Sequence, residues 1–212
     1  MKYQTLIQQN KCLQTIQQLL IIEKEFQQII NQRNILLDDL NHYYRQKVQL
    51  LQGKNDESLL DINDKTIGII AMKSELTLKN ILSQLKKQQL LIKSLIDINK
   101  TCANNKLIKN SASSEVTCVI TNITLIESIL PKQEQVLGWI NILIIYYQSD
   151  VDQKLELILN FDYNGINDWS SFNKFSKKME EVRVALEKVG VIQEMEEYVQ
   201  LSFEAIGYLK NN

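Results

Sequence analysis

Apolar positions recur at alternating steps of three and four from Leu19 onward: Leu19, Ile22, Phe26, Ile29, Arg33, Leu36, Leu40, Tyr43, Lys47 and Leu50. Eight of these ten are apolar or aromatic, the spacing of a coiled-coil-like seam along one long helix. A second row, Leu20, Ile30, Leu37, Tyr44 and Leu51, widens that seam into the stripe of a bundle helix. Gly53 followed by Lys54, Asn55 and Asp56 is a helix stop and a polar turn. A second helix is expected from about Glu57 to Cys102, with Leu60, Ile67, Ala71, Leu78, Ile81, Leu85, Ile92 and Leu95 on its seam. Asp64, Ser74, Gln88 and Asn99 fill the remaining seam positions and weaken it. A short loop between two such helices predicts an antiparallel hairpin. Arms of this length reach ~70 Å at ~1.5 Å per residue. A break in one arm is therefore expected, at Gly68 or within Asp61 to Asp64.

The polar, small-residue stretch Ala103 to Ser114 places the main boundary between a hairpin domain (1–105) and a C-terminal helical bundle (114–212), with one continuous domain as the alternative. A third helix capped by Ser113 or Ser114 carries Val116, Val119, Ile120, Ile123, Ile126 and Leu130. Its β-branched content leaves a strand open as the other reading. Pro131 suits a first helical position, with Glu134 near the positive end of the helix dipole. Val136 to Tyr147 is apolar nearly all round and predicts a buried central helix, interrupted at Ser149 to Asp152. After a loop at Phe161 to Asn167, Asp168 caps a helix with the seam Phe172, Phe175, Met179, Val182, Leu186 and Val189, which Gly190 ends. A last helix presents Ile192, Met195, Val199, Phe203, Ile206 and Leu209. The fold class is thus all-α: a long N-terminal antiparallel hairpin with a smaller C-terminal bundle.

Composition sharpens this picture in a few places. One proline and six glycines favour long helices over a turn-rich sandwich or barrel, and 44% hydrophobic content excludes wholesale disorder. A formal net charge of −1 gives no global attraction to nucleic acid. Cys12, Cys102 and Cys118 have no metal-ligand spacing and read as reduced packing thiols of a cytoplasmic protein. The opening residues lack a signal-peptide core, so delivery without a classical signal is the other expected route. The sequons at Asn99 and Asn122 then read as chance.

The most regular polar feature is Lys79, Lys86, Lys93 and Lys100, spaced by seven, with Lys65 in the same phase. Between Lys73 and Lys109 eight lysines face Glu75 and Asp97 alone. This stripe is either a solvated face or a groove for an acidic partner, a phosphate backbone or an anionic membrane. Arginine and interleaved aromatics, the usual additions in a nucleic-acid reader, are absent from it, which disfavours nucleic acid. Glu180, Glu181, Glu187, Glu194, Glu196, Glu197 and Glu204 make the last two helices acidic, so the two surfaces can attract each other or meet separate partners.

Chemistry has little to stand on. Asn160 to Gly165 resembles half a calcium loop, but the twelfth position is Ser171 where a bidentate Glu is needed. His42, the only histidine, lies near Asp38, Asp39, Tyr43 and Tyr44 without a nucleophile related to it. Arg33 and Lys47 in the seam either set register, pairing with Asp64 or Gln88, or snorkel. Tyr43, Tyr44, Tyr146 and Tyr147 read as core and rim aromatics, with a binding cleft the other account. Phosphate loops, HExxH and GxSxG are absent. No catalytic residue, metal or cofactor is expected. The expected function is a non-enzymatic helical adaptor, chaperone or complex subunit, homo-oligomeric or bound to another protein. Its docking residues would be Lys79, Lys86, Lys93, Lys100, Phe26, Leu36, Leu40 and Tyr43. The alternatives are a membrane-active helical effector or pore former, from the Val136 to Tyr147 stretch, and a binder of nucleic acid or anionic lipid.

Overall fold

The computed structural model describes residues 11–52, 60–104, 130–162, 169–180 and 186–211. Among them the regular structure is entirely α-helical: α1 (Lys11–Gln52), α2 (Leu60–Asn104), α3 (Gln133–Leu159), α4 (Trp169–Glu180) and α5 (Leu186–Asn211). α1 and α2 pack closely along one another as the antiparallel hairpin, with a smaller set of C-terminal helices beside them. The expected domain boundary from residue 105, the third expected helix and the calcium-like positions 163–165 lie outside the described residues.

Both hairpin arms are unbroken, with 42 and 45 residues. Gly68 does not interrupt α2, and Asp61 to Asp64 are helical. A Cβ placed on Gly68 would meet nothing within 4 Å, so this glycine serves no close approach. The expected break at Ser149 to Asp152 is also absent. Asp150 is buried there and accepts from Lys154 Nζ one turn on, at 2.7 Å, so the polar pair is satisfied inside the helix. Pro131 precedes α3 rather than starting it, and the first turn closes from Val136 N to the Lys132 carbonyl at 3.1 Å. Gly190 lies within α5 and does not end a helix.

The described residues fall into two compact units. One is drawn from Met1–Glu25, Leu91–Tyr147 and Val184–Asn212; the other is Phe26–Leu90 and Gln148–Arg183. Each contains parts of both hairpin helices and of α3, with α5 in the first unit and α4 in the second.

The core of the second unit joins Leu37, Leu40 and Tyr44 of α1, Ile81 and Leu85 of α2, and Phe172, Phe175 and Met179 of α4. Tyr44 stacks on Phe172 at a centroid distance of 4.1 Å, and Phe161 stacks on Phe175 at 3.8 Å. These contacts turn α1 about its axis. Ile30, Leu37 and Tyr44 of the second row are buried, whereas Ile29, Leu36 and Tyr43 are half-buried flanks. The first half of α2 turns likewise: Ile70 and Thr77 are buried beside the expected seam residue Ser74, and Ile67, Ala71 and Leu78 are half-exposed. The stripe is set by two neighbours at once, because α1 must cover α4 as well as α2.

In the first unit the core holds Ile16, Leu19, Leu95, Val136, Trp139, Ile140, Leu143 and Met195. Asn99 Nδ2 donates to Asn141 Oδ1 at 2.8 Å, and Gln133 Nε2 donates to the Cys102 carbonyl, tying α3 to α2. Trp139 Nε1 donates to Glu194 at 2.8 Å and tilts against Tyr198, tying α3 to α5. α3 is not buried all round: Ile145 is 70% exposed. On α5, Lys188, Val191, Met195 and Ser202 are buried, while Val189 and Phe203 face outward. The expected seam of this helix is therefore displaced, because its inner face must deliver Lys188 to Tyr146, Tyr147 and Glu23.

Candidate docking face on the second helix

The side chains of α2 that turn away from its packed face form a continuous row in three-four phase: Lys65, Ile69, Met72, Leu76, Lys79, Ser83, Lys86 and Leu90. The helical repeat makes a single strip of them, since residues three and four apart are neighbours on the cylinder. All eight belong to the second unit. Four are aliphatic and far from covered: Ile69 is 56%, Met72 74%, Leu76 60% and Leu90 61% exposed. Lys79 forms an ion pair with Glu75 at 2.8 Å, which holds the Glu75 carboxyl below its usual range, chiefly through that hydrogen bond. Lys73, beside the row, lies 5.8 Å from the centre of the Tyr43 ring. Lys93 and Lys100 continue the seven-residue lysine spacing in the first unit, and both are exposed, Lys100 at 3.9 Å from Asp97.

Of the expected docking residues, Lys79, Lys86, Lys93 and Lys100 thus lie on the surface. Phe26 and Leu40 are fully buried by the chain itself, and Leu36 and Tyr43 are half-buried, so these four are core and flank. Within the second unit the structure sets Lys79 and Lys86 in one row with exposed Ile69, Met72, Leu76 and Leu90, a partnership the lysine spacing alone did not reveal. The signal lay in the same heptads: Leu76 stands three residues before Lys79 and Leu90 four after Lys86.

Three further constellations bear on chemistry. In the second unit, Arg33, Gln88, Asp150 and Lys154 are all buried. Arg33 Nη1 donates to Gln88 Oε1 at 3.1 Å, so the hairpin pairing expected for Arg33 is met by Gln88. Burial lowers the Arg33 pKa below its ordinary value and Asp150 opposes that shift. Burial also lowers Lys47, with Asp162 opposing. In the first unit, Lys188 pairs with Glu23 at 2.9 Å and lies 5.0 and 4.8 Å from the centres of the Tyr146 and Tyr147 rings. A desolvated ammonium against two ring faces and a carboxylate is a structural clasp between α5, α1 and α3. A cleft of about 650 Å³ also opens in the second unit, lined among others by Lys154, Glu156, Phe161, Lys174 and Lys178. Lys154 is committed to Asp150, so the cleft offers no concentrated charge of one sign.

Neither a protein-family model, nor a curated protein, nor a solved structure matches the chain. The site must therefore be read from its own chemistry. His42 is exposed and hydrogen-bonded to Gln46 at 2.9 Å. Among the described residues no group of three or more His, Cys, Asp or Glu side chains converges as a metal would require. No described helix is long and apolar enough to cross a membrane. What the α2 row can do is bind: a linear apolar strip punctuated by ammonium groups matches a second helix laid alongside, with carboxylates facing the lysines.

Proposed function

We propose that this chain is a non-enzymatic helical interaction protein, an adaptor or complex subunit that docks an amphipathic, acidic helix along the outward face of α2. One observation carries the reading: Ile69, Met72, Leu76 and Leu90 stand exposed in three-four phase, in the same row as Lys65, Lys79 and Lys86. Scattered single apolar residues on a surface need no explanation, but an aliphatic row in coiled-coil phase does. The row is one residue wide, which suits a helix better than a lipid interface, where a broad apolar face is needed. Its small apolar area fits a transient contact rather than an obligate one.

The test uses the full chain and a synthetic 28-residue amphipathic peptide of leucine seam and glutamate flanks, titrated by fluorescence anisotropy. Saturable binding is expected, abolished by Met72→Glu with Leu76→Glu and weakened by salt. Absence of binding, or binding untouched by those substitutions, overturns the reading. So does binding of the chain to phosphatidylserine vesicles with no binding to the peptide.

A further inference from the structure

The helix-docking reading is the foundation of this inference, which names the partner. α5 bears an exposed row of its own in three-four phase: Val189, Gln193, Glu196, Gln200 and Phe203. Val189 is 43% and Phe203 62% exposed, and Glu197 and Glu204 flank the row. Read from Leu76 forward, the α2 row steps by three, four, three and four through Lys79, Ser83 and Lys86 to Leu90. Read backward from Phe203, the α5 row steps by three, four, three and four through Gln200, Glu196 and Gln193 to Val189. The two strips therefore have the same length, about 21 Å between apolar ends, and the same phase when laid antiparallel.

We propose that α2 of one molecule seats α5 of a second copy of this chain in that antiparallel register. Leu76 then meets Phe203 of the second copy and Leu90 meets its Val189, closing the contact with an apolar pair at each end. Between them Lys79 and Lys86 bracket Glu196 of the second copy, with its Glu197 alongside. The charge pattern selects this pairing over the symmetric ones. An α2-on-α2 contact centred on Met72 places Lys65 beside Lys79 of the other copy, and an α5-on-α5 contact centred on Glu196 sets that carboxylate against itself. Like charges so placed oppose association, whereas lysine against glutamate steers it. Because the two surfaces differ, the contact is heterologous: each molecule keeps one free strip, and association proceeds head to tail into a ring or an open chain.

Sedimentation equilibrium on the full chain decides the matter, with two charge-reversed variants, Lys79→Glu/Lys86→Glu and Glu196→Lys/Glu197→Lys. All four side chains are exposed, so the fold survives the changes. The wild type is expected to at least double its weight-average mass with rising concentration at low salt. Each variant alone should stay at the mass of one chain, and an equimolar mixture should associate again, because reversed α2 matches reversed α5 and the remaining strips keep their original pairing. A wild type that stays monomeric while binding the acidic peptide overturns the self-association and leaves the docking face standing, its occupant then being another protein. Association that persists in either variant alone, or a mixture that fails to recover it, overturns the proposed register. Failure of the peptide to bind overturns the docking reading itself.

Discussion

Arg33 is the largest fully buried side chain of the hairpin, and it is held there by a neutral partner. Gln88 accepts one of its hydrogen bonds, while Arg33 Nε and Nη2 and Gln88 Nε2 find no hydrogen-bond partner among the described residues. A buried cation satisfied in part adds little stability, but it specifies which residues face each other across the hairpin. Arg33→Leu alone strands the Gln88 amide and is expected to cost about 1–3 kcal/mol. Arg33→Leu with Gln88→Leu should recover that loss, because both partners leave together, whereas each single change should stay destabilised; urea denaturation of the three variants checks the coupling. The thiols offer a second test at this scale. Cys12 and Cys102 are buried and free, and burial pushes both above their ordinary 9.0, with Cys102 raising Cys12 further. A raised folded-state pKa means that the unfolded chain loses these protons first. Their contribution is then fully present below the unfolded value and is lost as pH climbs from there through the raised folded value. Cys12→Ala/Cys102→Ala should therefore lose less stability than the wild type between about pH 8 and about 10, measured by urea midpoints across that range.

Among the helices, the long arms show how weak a breaker glycine is when packing holds both sides. Gly68 sits in the interior of α2 with open space where a Cβ would stand. It retains only the entropic penalty of glycine in a helix, so Gly68→Ala is expected to stabilise by about 0.5–1 kcal/mol, read as a rise in thermal midpoint. A fall would mean that the site cannot accept a side chain. Asp150 in α3 makes the related point for polar residues. A carboxylate in a helix interior looks like an interruption until Lys154, one turn away, neutralises it within the core.

For the whole molecule, the decisive fact is that α1 and α2 run without a break through both compact units. Unfolding one unit frays helices that the other needs, which predicts one cooperative transition. Phe172→Ala removes a ring packed on Tyr44, Phe161 and Phe175 and should cost about 3–5 kcal/mol. Calorimetry should show a single endotherm moved to lower temperature. Two separated transitions, only one of them displaced, would contradict the coupling. The near-zero net charge adds no strong global repulsion, so in the proposed association the local fields of the lysine and glutamate strips would govern pairing.

Periodicity by itself pointed to an all-α chain whose first two helices form an antiparallel hairpin, and it placed Phe26, Leu40, Ile81, Leu85 and Phe172 on inward seams, while leaving Arg33 open between register and snorkelling. Those positions follow from the repeat of one helix and the absence of proline within the described helices. The tertiary structure alone decided the rest. Which of two adjacent rows is central in α1, why Ser202 is buried and Phe203 is not, and why Lys188 and Asp150 lie inside all depend on helices distant in sequence. A helix cylinder carries several rows of the same spacing, and only its neighbours select which are covered. The same choice leaves the α2 row of lysine and aliphatic side chains bare.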